Sequence, residues 1–69
     1  MPSSVIAAID YDATVSRLTI TFVSGRIYDY YAVPAAVVDA FRHAESKGAF
    51  FNAEIRNRFP SRERNIGAA

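Results

Sequence analysis

Between Gly25 and Pro34 the hydrophobic pattern changes period, and that change limits what the chain can fold into. Upstream, Arg17-Leu18-Thr19-Ile20-Thr21-Phe22 alternates strictly, with Leu18, Ile20 and Phe22 on one face, as a half-buried strand does. Downstream, Val33, Val37, Ala40, Phe41 and Ala44 gather on one side of a helix, and Asp39, Arg42 and His43 lie away from it. Pro34 suits the junction. It has no N–H to give a ladder, pushes Val33 toward extended geometry, and fits the first turn of a helix.

The loop before this junction decides which side chains are buried. A two-residue connection at Ser24-Gly25 would pair Phe22 with Ile27 and put Asp29 beside Ile20 in the core. A three-residue loop, Val23-Ser24-Gly25, pairs Phe22 with Arg26, Ile20 with Tyr28 and Leu18 with Tyr30. Gly25 then takes the left-handed position of a type I turn with a G1 bulge, where a residue without Cβ is favoured. The second register buries tyrosines and spares an aspartate, so it is the one expected.

Before this hairpin, Val5, Ala7, Ile9 and Tyr11 alternate with Ile6, Ala8 and Asp10, which predicts a first strand with the former set inward. Asp12 to Ser16 forms the turn. After the first helix, Gly48 is expected to end it and Ser46 to cap a second. That second helix should run to about Phe59 on a Phe51, Ile55, Phe59 stripe and stop at Pro60. The expected class is α+β: a three-stranded antiparallel meander followed by two helices packed on one face, in the order β-β-β-α-α. One domain is expected over residues 4–60, with residues 61–69 a flexible C-terminal tail.

With these elements placed, Tyr28-Asp29-Tyr30-Tyr31-Ala32-Val33-Pro34, Ala44-Glu45-Ser46-Lys47-Gly48-Ala49-Phe50-Phe51-Asn52 and Ile55-Arg56 resemble the KTSC domain. That short domain takes its name from the C-terminal region of some lysyl-tRNA synthetases and also occurs as a stand-alone bacterial protein. The likeness spans roughly Ser4 to Pro60. Phe59 stands where tyrosine is equally expected. The resemblance implies an association with RNA through the synthetase connection.

Composition narrows the chemistry. A chain of 69 residues buries only about 60% of its unfolded surface, so packing must be efficient or a partner subunit must help. It has no cysteine and one histidine, which leaves no disulfide, no thiolate metal site and no zinc cage. No apolar run reaches the ~20 residues of a membrane span, and the first residues lack a basic signal-peptide region; a cytoplasmic protein is expected. His43, on the polar side of its helix, has no serine or cysteine placed to make it a catalytic partner, since Ser46 is the expected cap of the second helix. No glycine loop could cradle a phosphate. Neither a catalytic residue nor a cofactor is expected, and the chain reads as non-enzymatic.

The net charge is +1 but unevenly spread. Up to Phe41 two arginines face four aspartates, a net −2, and from Arg42 onward six basic residues face three glutamates, a net +3. Lys47, Arg56, Arg58, Arg62 and Arg64, with Tyr28 and Tyr30 for stacking, are therefore the candidate nucleic-acid contacts. A plainer account covers part of this set: Glu54 precedes Arg58 by four residues, and arginines in a last turn complement the helix dipole. The alternative function is a protein-interaction module or homodimer using an apolar outer sheet face of Ile6, Ile27 and Tyr31, with Arg17 opposite Tyr31.

Overall fold

The computed structural model describes residues 5–64. Its sheet has four antiparallel strands in sequence order, β1 (Ile6–Asp12), β2 (Arg17–Phe22), β3 (Ile27–Tyr30) and β4 (Ser61–Arg64). Two helical elements lie between β3 and β4. They are α1 (Ala35–His43) and α2 (Lys47–Phe50), and α2 runs on into a π-helical turn, Phe51–Ile55. The class is α+β with an antiparallel sheet, but the three-stranded meander is corrected to four strands. Residues 61–64, expected to belong to a flexible tail, pair with β3 along their whole length. The remainder of that tail, 65–69, lies outside the described residues.

The β2–β3 hairpin takes the three-residue loop. Gly25 has φ +96°, its N–H donates to the Phe22 carbonyl at 2.9 Å, and the Phe22 N–H donates to the Arg26 carbonyl at 2.9 Å. Ile20 therefore faces Tyr28 and Leu18 faces Tyr30. On that face Leu18, Ile20, Tyr30 and Ile6 meet Val33, Val38, Phe41, Phe51 and Ile55 to form the core. Leu18, Ile20, Val33, Phe41 and Ile55 have no exposed surface at all.

The first strand departs from simple alternation. Ile6 pairs with Phe22, yet Ala8 pairs with Thr21, so Ala7 is an extra residue opposite none. A bulge of this kind reverses the parity of the strand on one side of it. Ile6 turns into the core beside Ile9 and Tyr11, while Val5, Ala7 and Ala8 are exposed. The expectation that Val5 and Ala7 point inward and Ile6 outward is overturned. Burying isoleucine in place of alanine removes more apolar surface from water, which favours the bulge.

The helices are shorter than their hydrophobic stripes suggest. α1 ends at His43 with Ala44 already extended, so Gly48 is not its terminator. Instead Gly48 lies inside α2, where an added Cβ would come within 3.5 Å of Val5. Ser46 does cap α2, accepting from the Ala49 N–H at 3.2 Å. The second helix stops at the π-turn rather than reaching Phe59. There the Arg56 N–H reaches back five residues to the Phe51 carbonyl at 2.8 Å. This widened turn keeps both Phe51 and Ile55 buried and leaves Phe59 half-buried. Among the described residues, no helix is long and apolar enough to cross a membrane.

Nothing lies within 4 Å of a Cβ built on Gly25, so a substitution there is opposed by backbone conformation alone. Gly25→Val should cost on the order of 1 kcal/mol or more, because a β-branched side chain is poorly tolerated at positive φ. Urea unfolding of the two proteins measures this. An unchanged midpoint would show that the hairpin does not depend on the glycine.

Candidate functional site

The helices cover one face of the sheet and leave the other open. β4 completes the open face. In register Asp29 sits between Thr19 on β2 and Arg62 on β4, and Ile27 sits opposite Arg64. Continuing the β2–β3 register by one pair puts Arg17 opposite Tyr31. The Tyr31 N–H bonds the Pro60 carbonyl at 2.9 Å, which places Arg62 on the diagonal from Tyr31. Asp10 and Asp12 of β1 share this face through their register with Thr19 and Arg17, and Arg17, Arg62, Arg64 and the partly exposed ring of Tyr31 gather around the carboxylate of Asp29.

That carboxylate organises the face. Asp29 is buried, and Thr19 donates its hydroxyl to Oδ1 at 2.7 Å. Arg64 donates from Nη2 to Oδ1 at 2.8 Å and from Nε to Oδ2 at 3.3 Å, the forked geometry that makes Arg–carboxylate pairs strong. Burial works against the charged form, but the bonds from Thr19 and Arg64 and the charges of Arg64 and Arg17 outweigh it. The Asp29 carboxyl is held below its ordinary value. Arg17 also lies 3.8 Å from Asp12, whose own carboxyl is held low mainly by the hydroxyl and amide of Thr14. Arg62 is exposed and makes no ion pair among the described residues.

On the helix-covered side an open groove of about 540 Å³ runs between the β2–β3 hairpin and the π-turn. Phe22, Tyr28, Tyr30 and Phe51 form its floor, and Arg26 and Arg56 line it. The rings are packed against one another, Phe22 edge-on to Tyr28 and to Phe51 at 5.6 and 5.4 Å, and Tyr30 edge-on to Phe51 at 5.6 Å. Burial and the neighbouring Tyr28 raise the Tyr30 phenol above its ordinary value, against the opposing pull of Ser61 and Arg56. Tyr30 therefore stays a neutral hydroxyl through the physiological range.

The residues singled out from sequence do not form one site. Arg62 and Arg64 join Arg17, Ile27 and Tyr31 on the open face, while Arg56, Tyr28 and Tyr30 belong to the groove. Tyr30 is buried, so it is a core ring and not an open stacking platform. Lys47 donates to the Ala44 carbonyl at 3.0 Å, and Arg58, in the turn after Ile55, pairs with Glu54 at 3.9 Å. Ile6, assigned to the outer face, is a core residue because of the Ala7 bulge. Ile27 is only half-exposed, so the open face is polar and arginine-bearing and not an apolar patch. Sequence reading missed Thr19 and Asp29 as the anchor of this face. The available signal was the alternation Ser61, Arg62, Glu63, Arg64, which puts two arginines on one side of a strand. Among the described residues no three acidic or histidine side chains converge as a metal site requires.

The model of the KTSC domain matches residues 2–59. This chain belongs to the KTSC domain family. Among similar proteins, a lysine–tRNA ligase of Nostoc punctiforme is 41% identical over 56 residues, 81% of this chain and 10% of that protein. A protein of Tsukamurella paurometabola is 42% identical over 57 residues, covering 83% of this chain and 85% of its own length. The crystal structure of a KTSC domain protein from Yersinia pestis matches with a TM-score of 0.83 at 35% identity over 94% of each chain. The chain spans about a tenth of the length of the lysine–tRNA ligases it matches. In this KTSC domain β4, with its two arginines, lies past the residues matched by the family model.

The Asp29–Arg64 pair should control whether β4 stays on the sheet. Because the folded Asp29 pKa is depressed, its contribution is full above the ordinary carboxyl range, about 3.9, and is lost as pH falls through the lowered value. Acid should therefore release β4 before the core unfolds, seen as early loss of amide protection at Arg62 and Arg64. Arg64→Ala strands a buried carboxylate and should cost about 1.5–3 kcal/mol. Asp29→Ala should cost less, since Arg64 is 42% exposed and can turn to water. Equal losses in the two variants would mean that the pair does not hold the strand.

Proposed function

We propose that this KTSC domain is a non-enzymatic, cytoplasmic module that binds RNA through the open face of its sheet. The observation that carries the reading is the placement of Arg62 and Arg64 beside Asp29, with Arg17 opposite Tyr31, on an uncovered antiparallel sheet. Exposed aromatic rings flanked by cations are what single-stranded RNA needs, one for base stacking and the other for phosphate. Arg64 spends Nε and Nη2 on Asp29 and keeps its remaining donors for a ligand, since a guanidinium has several. Arg62 makes no ion pair among the described residues. Relatives named lysine–tRNA ligase support RNA as the partner. The polar character of the face and the burial of Ile6 count against homodimer formation through the same surface.

The modest net charge makes the interaction weak and salt-sensitive. Three arginine contacts give a log–log salt slope of about −2 on single strands, and Arg62→Ala should flatten it by about 0.7. Tyr31→Ala should cost about 1–3 kcal/mol if a base stacks there. Fluorescence polarisation with labelled single-stranded RNA, tRNA and duplex DNA across a salt series reads all three. If wild-type protein leaves every RNA free at low ionic strength, the reading is wrong. Arg62, not Arg64, is the residue to replace, because Arg64 also supports the fold.

A further inference from the structure

The groove on the opposite side is independent of the RNA reading and has a different character. Its floor is aromatic, but its exposed rim is aliphatic: Val5 and Val23 are 48% and 66% exposed. Water-facing valines beside a ring-lined depression suit an apolar side chain. The floor rings already present edges and faces to one another, and valines offer a base no stacking plane.

Arg26 and Arg56 are the charged side chains among the described residues that line the groove, with Glu63 beside Arg26. Arg56 meets only the Asn52 amide oxygen, at 3.4 Å, and no carboxylate among the described residues. Arg26 is 67% exposed and reaches Glu63 at a loose 3.9 Å. The Glu63 carboxylate also lies 3.5 Å from the Tyr28 hydroxyl. Glu63 thus shows which group this rim attracts, held too loosely to satisfy it.

We propose that the groove is a docking site for an acidic segment of a partner protein, which inserts one bulky apolar side chain over Phe22 and Phe51 and sets flanking carboxylates on Arg26 and Arg56. Aromatic and aliphatic contacts supply the affinity, and the two guanidiniums fix the orientation. A volume of about 540 Å³ lies within the range of sites that bury a drug-sized group, which leaves room for one bulky side chain and its flanking residues.

The test uses the whole chain and a short fluorescent peptide with one phenylalanine among glutamates. Matched controls replace the phenylalanine by alanine or the glutamates by lysine. The parent peptide should bind by anisotropy, and both controls should bind at least about tenfold more weakly, the loss of one apolar anchor or charge-assisted bond. Arg56→Glu, Arg26→Glu and Val23→Asp, all at exposed positions, should each weaken the parent peptide to a similar degree. With the unmodified protein, amide shifts should concentrate at Ser24, Phe51 and Arg56 and spare Thr19 and Arg62, a readout that survives any folding defect in a variant. Equal binding of the three peptides, or no binding by any, would overturn the proposal. So would displacement of the peptide by single-stranded RNA whose own affinity falls in Arg56→Glu, since the groove would then be a nucleotide site.

Discussion

Side chains along a strand alternate between two faces, so the number of residues in one loop fixes the destination of every residue beyond it. In this protein that loop is Val23-Ser24-Gly25, and its third residue can be accommodated because Gly25 takes φ +96°. Tyr28 and Tyr30 are thereby sent under the helices, and Asp29 is sent to the open face. Had the loop been one residue shorter, a carboxylate would have entered an apolar layer, at a cost of several kcal/mol without a partner. The opposite outcome gives each face its character: packed rings on one, an arginine-bound carboxylate on the other.

Legibility from sequence followed the strength of local signals. The hairpin register could be read because one alternative buried Asp29 and the other did not. Ser46 as a cap and the family likeness in the Tyr28–Pro34 and Ala44–Arg56 stretches were also readable. β4 was not, because Ser61-Arg62-Glu63-Arg64 has no apolar face. It is a strand through a long-range pair with Asp29 and a free sheet edge, neither of which its own residues announce. The Ala7 bulge was hidden for another reason. Val5-Ile6-Ala7-Ala8-Ile9 is apolar at every position, so alternation could be counted from either end. The π-turn, where Arg56 bonds Phe51, adds an offset that a regular helical period does not contain.

Charge counted along the chain was a poor guide to charge in space. The C-terminal half carries +3, yet its cations are distributed to several places with different neighbours. Arg58 has Glu54, Lys47 has a backbone carbonyl and Arg56 borders the groove. Arg62 and Arg64 share the open face, and Arg17 on the same face comes from the half that is net acidic. The open face is thus assembled across the sequence by strand pairing. Tyr31 and Arg17 become neighbours of Arg62 only when β2, β3 and β4 stand side by side.

Pairing of β3 with β4 joins Ile27 to Arg64 across both helices, whereas β1–β2 and β2–β3 are hairpins between adjacent segments. Contacts this distant along the chain close a large loop and tend to form after local ones. The meander and the helices can therefore collapse before Ser61–Arg64 pairs. The ring-lined side then matures first, and the arginine face exists only once β4 has paired with β3. One surface of the domain records the folding of its local parts, and the other reports that the last strand has arrived.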